Sequence, residues 1–166
     1  MRLVLKENGA YLEQFDTLES LDEVVQVISC FPQDGERLIF RVSKDIIQGF
    51  RNPTEEKWRD LVIKRTVFEV DECLPFQDHT SEIPTTFLWF CPKGKNELIE
   101  AIKANQLFTC AVLHKDKELK DASYLLQVFE AADFDVFDIS FQKEEDFKFR
   151  VIPNLQALIP LEIDSV

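Results

Sequence analysis

From Thr85 to Phe141 the apolar residues change period several times, and this alternation constrains the fold more than any other feature of the chain. Thr85 to Cys91 is a continuous apolar run of strand length, and Glu97 to Asn105 has helical spacing, with Asn96 placed to cap it. Leu107 to His114 again has strand character. Leu119, Ala122, Leu126 and Phe129 fall at helical spacing, and Phe134 to Phe141 at strand spacing. The pattern reads β-α-β-α-β, which packs as a partly parallel sheet with right-handed crossovers. The expected fold class is α/β, or α+β if strands and helices segregate, in a single domain over residues 1–166 with a subdivision at the 71–84 loop as the alternative.

The flanks fit the same sheet. Asn8-Gly9 is a favoured two-residue hairpin turn between alternating segments over residues 2–15. Asp16 and Glu19 form a capping-box pattern ahead of Leu18, Leu21, Val24, Val25 and Ile28, so a helix is expected up to Phe31-Pro32. Leu38, Phe40 and Val42 mark a strand. Pro53 with Glu55 and Glu56 opens a short helix, and a strand runs from Val62 to Asp71. Lys143 to Asp146 turns the chain into a strand over Phe147 to Ile152, followed by a short helical turn and an edge strand at Leu161 to Ile163.

Length and composition make a metal or disulfide unnecessary for stability, since 166 residues suffice for a sizeable core and 15 are Phe. The first residues lack the apolar run of a signal peptide, and no window is long and apolar enough to span a membrane. The four cysteines are scattered without a CxxC pair. A cytoplasmic chain with reduced thiols is the expectation.

Charge is distributed in blocks. Glu7 to Glu36 contains eight acids and no Lys or Arg, and Thr66 to Pro92 five acids and no base. Residues 37–65 hold eight bases against four acids, within a net charge of -12. Such a chain repels nucleic acid and anionic lipid and attracts basic proteins. Solubility alone is the plainer explanation of the same charge.

The chemical motifs weigh little against their structural alternatives. Cys73 with His79 and Cys110 with His114 have zinc-type side chains, but the first spacing is unusual, and the second pair lies about 13 Å apart on a strand. A thiol nucleophile at Cys73 or Cys91 would need His79 as its base. There is no G-x-S-x-G, P-loop or G-x-G-x-x-G. Pro92 to Asn96 offers one loop that amides could use for an anion, and Arg37 to Arg65 is a basic stretch diluted by acids. No cofactor or metal is expected.

Two short pieces resemble the barstar family of ribonuclease inhibitors. They are Asn8-Gly9 with its strand and capped helix, and the stretch from Leu126-Gln127-Val128-Phe129 through Ile139. They cover less than a third of the chain, and the tyrosine-glycine-asparagine segment of that family is absent. The resemblance implies a small acidic α/β inhibitor.

The reading from sequence is a non-enzymatic protein-binding module, such as an immunity protein that neutralises a basic nuclease toxin. Its expected contacts are Asp71, Glu72, Phe76, Asp78 and Glu82 on the long loop, followed by Asp133 and Asp135, because spaced carboxylates imitate phosphates. The rivals are an enzyme using a Cys/His pair and a subunit of a structural homodimer.

Overall fold

The computed structural model describes residues 1–15, 21–49, 52–71, 85–105, 107–131 and 134–165. One nine-stranded sheet joins them. Its strands are β1 (Arg2–Lys6), β2 (Gly9–Phe15), β3 (Glu36–Ser43), β4 (Thr66–Asp71), β5 (Thr86–Phe90), β6 (Thr109–His114), β7 (Tyr124–Ala131), β8 (Phe134–Phe141) and β9 (Glu162–Ser165). They lie in the order β4-β5-β3-β6-β7-β8-β2-β1-β9, and every neighbouring pair is antiparallel except β1 with β9. The helices are α1 (Leu21–Ser29), α2 (Lys44–Gln48), α3 (Pro53–Arg65), α4 (Gly94–Ala104), α5 (Glu144–Asp146) and α6 (Ile152–Leu158), with a π-helical turn at Phe147–Val151. β4 and β5, on either side of residues 72–84, pair within this sheet.

The expected mixed α/β architecture is present, with an inserted strand. β5 and β6 run parallel and are joined through α4, but β3 lies between them and is antiparallel to both. Phe40 faces Phe90 on one side and Cys110 on the other. On one sheet face Phe40 packs against Phe90 and Phe108, with ring centroids 5.8 and 5.4 Å apart, and Trp58 of α3 meets Phe90 edge-on at 5.2 Å. The opposite face carries a second core of Ile39, Trp89, Ala111, Leu113, Ala122 and Leu125. Central strands buried on both faces lose polar alternation, which explains the unbroken apolar runs at Thr86–Phe90 and Thr109–His114.

This two-sided burial also misleads a periodicity reading. The helix expected through Leu126 and Phe129 is strand β7, where Tyr124, Leu125 and Leu126 are all buried because both faces are covered. A 3₁₀ turn at Leu119–Asp121 is all that forms of that helix. Conversely, the strand expected over Phe147 to Ile152 is helical. Phe147, Val151 and Leu155 are buried at four-residue spacing while Phe149 is 80% exposed. The wide turn ends just before Pro153, which has no N–H to donate to the preceding turn.

The remaining elements agree more closely. The hairpin forms, with Lys6 opposite Gly9, so its turn residues are Glu7 and Asn8, the latter at φ 56°. Gly9 is needed for a different reason: a Cβ there would lie 2.6 Å from the Ile139 carbonyl oxygen of β8. α3 starts where Pro53 predicts, behind Asn52, whose Oδ1 accepts the Glu55 N–H at 2.9 Å while Glu55 accepts the Asn52 N–H at 3.3 Å. It continues to Arg65, so its last turn replaces the first residues of the expected strand. Lys93, not Asn96, is the N-cap of α4. Asp16 and Glu19 lie outside the described residues.

Candidate partner-binding cleft

The carboxylates singled out from sequence do not converge. Asp71 ends β4, exposed, with Oδ1 accepting the Thr86 hydroxyl at 2.6 Å. Asp135 is half-buried on β8 opposite Glu130. Both lie at the same end of the sheet, but five strand spacings separate them, about 24 Å. Glu72, Phe76, Asp78, Glu82 and Asp133 lie outside the described residues.

Cys73 and His79 also lie outside them. Cys110 is sealed in the core, where burial raises its thiol far above the ordinary value. His114, at the far end of β6, accepts the Asp116 N–H on Nδ1 at 3.2 Å. Among the described residues no three Cys, His, Asp or Glu are grouped as metal ligands. Cys91 is half-buried, and burial raises its pKa despite the nearby cations Arg37, Arg65 and Lys93, which is the opposite direction from an activated thiolate.

The Pro92 to Asn96 segment, of which Gly94 to Asn96 open α4, already meets an anion of the chain's own. Glu97 accepts the Lys93 N–H at 2.6 Å and a two-pronged bond from Arg65 at 2.8 and 2.9 Å. The Arg65 guanidinium, then the Lys93 amide, hold the Glu97 carboxyl at about 2.

Carboxylates do converge at the opposite end of the sheet. A cleft of about 420 Å³ is bounded by Gln33, Asp34 and Glu36 before and at the start of β3, by His114, Lys117 and Asp121 after β6, by Ser123 and Tyr124 at the start of β7, and by Gln142, Lys143 and Asp146. Each group arrives by the topology. β3 pairs with β6 so that Glu36 lies opposite His114, and β7 pairs with β8 so that Tyr124 lies opposite Phe141. Gly35, at φ +83°, passes so close to His114 that a Cβ would lie 2.9 Å from Nε2.

Two of the carboxylates are fixed. Glu36 accepts the Ser123 hydroxyl and the Gln33 N–H, the latter at 3.0 Å. Asp146 accepts the Tyr124 hydroxyl, the Gln33 amide at 2.7 Å, and Arg150 Nε and Nη2 at 2.8 Å each. Arg150 holds the Asp146 carboxyl below the ordinary range, and burial, reinforced by Asp146, pushes the Tyr124 phenol up. Arg150 also donates to the Cys30 and Phe31 carbonyls at 2.9 and 2.8 Å, closing the end of α1. Asp34 and Asp121 are exposed, and the exposed Lys117 and Lys143 line the same cleft.

Sequence reasoning missed this cleft. Its residues come from three separated stretches, and Tyr124 and Asp146 adjoin segments whose elements the local pattern misassigns. Asp34 and Glu36 appear in the sequence only as members of an acidic block.

Comparison with protein-family models, with curated proteins and with solved structures finds no match. No described helix is long and apolar enough to cross a membrane.

Proposed function

We propose that the chain is a non-catalytic binding protein for a basic protein partner, and that the cleft receives a Lys or Arg side chain of that partner. The carrying observation is the convergence of Asp34, Glu36 and Asp121 on one cleft of about 420 Å³, which Lys117 and Lys143 also line and to which a further stretch adds Asp146, already paired with Arg150. Glu36 and Asp146 are already oriented by donors, so less ordering accompanies binding. Asp34 and Asp121 are the solvated acids that meet an incoming cation. The net charge of -12 adds long-range attraction that speeds encounter. A nuclease with a substrate groove lined by Lys and Arg is the kind of partner that suits this chemistry, and occlusion of that groove makes the chain an inhibitor.

The test is fluorescence anisotropy with a labelled Arg- and Lys-rich peptide, comparing the native chain with the double variant Asp34→Asn, Asp121→Asn. Binding should weaken as salt rises toward about 0.5 M. Two rim charges together should account for about a tenfold loss of affinity. Equal affinity for both proteins, or affinity indifferent to salt, overturns the reading.

A further inference from the structure

A second concave region lies at the other end of the molecule. Glu36 and Ser43 mark the two ends of β3, seven residue steps or about 23 Å apart, so the two regions are separate. α3 and α4 are tied at one end by Arg65 and Glu97, and toward the other end a groove of about 1000 Å³ opens between them. α3 presents Thr54, Lys57, Trp58 and Leu61 to it, and α4 presents Asn96, Ile99, Glu100 and Lys103, each at the spacing of one helix face. Trp58 and Ala104 also line an adjoining hollow of about 210 Å³. That hollow contains Ile46 and Leu107, 58% and 50% exposed, and it reaches Phe87 and Arg41 around the end of the sheet.

The charge of the groove runs against that of the chain. Lys57 and Lys103 are exposed residues of its lining and have no ion-pair partner among the described residues. Glu97 is held by Arg65, which leaves Glu100 as the remaining lining acid. In a protein of net charge -12 this is a locally cationic entrance to an apolar floor. Trp58 and Ala104 line both the groove and the hollow, so the two form one trough that a flexible aliphatic chain can occupy.

We propose that this trough binds a single-chain aliphatic carboxylate, with its headgroup between Lys57 and Lys103 and its chain running over Trp58 toward Ile46 and Leu107. The carboxylate answers the two ammonium groups. The chain covers apolar side chains that the fold leaves in water.

The test uses octanoate, decanoate and dodecanoate below their micelle concentrations, followed by calorimetry and by tryptophan emission. Binding should saturate, tighten about fourfold for each added methylene, and change the emission of Trp58. Trp58→Phe should abolish most of the emission change. The double variant Lys57→Glu, Lys103→Glu should bind dodecanoate at least about tenfold more weakly. Both lysines are exposed and unpaired, so this variant should keep the native circular dichroism spectrum. Ala104→Trp, which obstructs the passage between groove and hollow, should remove the gain from decanoate to dodecanoate. Absence of saturable heat, equal affinity in the charge-reversed variant, or equal binding of a dodecyl ammonium cation overturns the proposal. Each result leaves the peptide-binding cleft unaffected, since none of these substitutions touches it.

Discussion

Arg150 joins three parts of the molecule, and its replacement by Met has a cost that follows from the structure. The substitution keeps an apolar stem and deletes the guanidinium. Two charge-assisted bonds to the Cys30 and Phe31 carbonyls disappear, together with the paired bonds to Asp146. The two side chains are 27% and 20% exposed, between the surface pairs that contribute almost nothing and the buried pairs whose disruption costs about 3–5 kcal/mol. Asp146 keeps its bonds from Tyr124 and Gln33, which limits the loss. A destabilisation of about 2–3 kcal/mol is expected. For a chain of this length that lowers Tm by about 4–12 °C.

The same interaction has a pH signature. The folded Asp146 carboxyl sits below its ordinary value because Arg150, and after it Tyr124, favour the ionised form. A depressed carboxylate stabilises fully above the unfolded pKa of about 3.9, and the contribution disappears as pH falls through the folded value. The stability gap between the native chain and Arg150→Met should therefore be constant from neutrality to about pH 5 and shrink below about pH 4. Urea denaturation followed by circular dichroism at pH 7 and at pH 3.5 measures both quantities. A gap under about 0.5 kcal/mol at pH 7, or one that does not shrink in acid, refutes the assignment of Arg150 as the clasp between α1 and the C-terminal helical segment.

Two further outcomes follow from local geometry. Removing the capping box of α3 by Asn52→Ala should cost about 1 kcal/mol, read as a Tm drop of about 2–4 °C, and an unchanged Tm would show that α3 is held by Trp58 and Val62 alone. In a thiol-exchange assay Cys110 should react only on global unfolding, and Cys30 and Cys91, whose thiols burial raises, more slowly than a free cysteine. Reaction of Cys91 at the free rate would mark it as an activated thiol and reopen a catalytic reading.

Features written in contiguous residues were legible from sequence. The hairpin, although its turn falls one residue earlier, at Glu7-Asn8, the start of α3 at Pro53, and the strands at Leu38 to Val42 and Thr85 to Cys91 depend on local pattern, turn and cap chemistry, and they occur in the fold. What local pattern does not contain is the position of β3. Nor does it contain the covering of both sheet faces at β6 and at Tyr124 to Leu126 of β7, which erases the alternation that would have marked β7 as a strand. In the C-terminal segment, Phe147, Phe149 and Val151 imitate strand alternation, yet Phe149 points to water and only Phe147 and Val151 are buried. The cleft depends on the same pairing, because only β3 beside β6 brings Glu36 to the wall that His114 and Ser123 form. Local sequence groups acids close in the chain, whereas the fold groups acids distant in it.

The charge blocks show the same principle in electrostatics. Arg2 and Lys6 give the first strand two bases, and the hairpin and the β1–β9 pairing deliver them to acids at the other end of the chain. Arg2 meets Asp164 at 2.7 Å and Lys6 meets Asp138, while Lys6 also lies over the Tyr11 ring. The basic stretch after Glu36 is likewise shared out, Lys44 to Glu69 of one acidic block and Arg65 to Glu97 beyond it. Acidic density along the sequence is thus reduced wherever folding brings a base alongside, and a uniform negative coat is not what a partner meets. Carboxylates still gather at the cleft, where Asp34, Glu36 and Asp121 stand among hydroxyl and amide groups and the two ammonium groups of Lys117 and Lys143. In the proposed function, specificity for a basic partner would come from the geometry of a few oxygens fixed by Ser123, Gln33, Tyr124 and Arg150, and the net charge of -12 would govern mainly how fast that partner arrives.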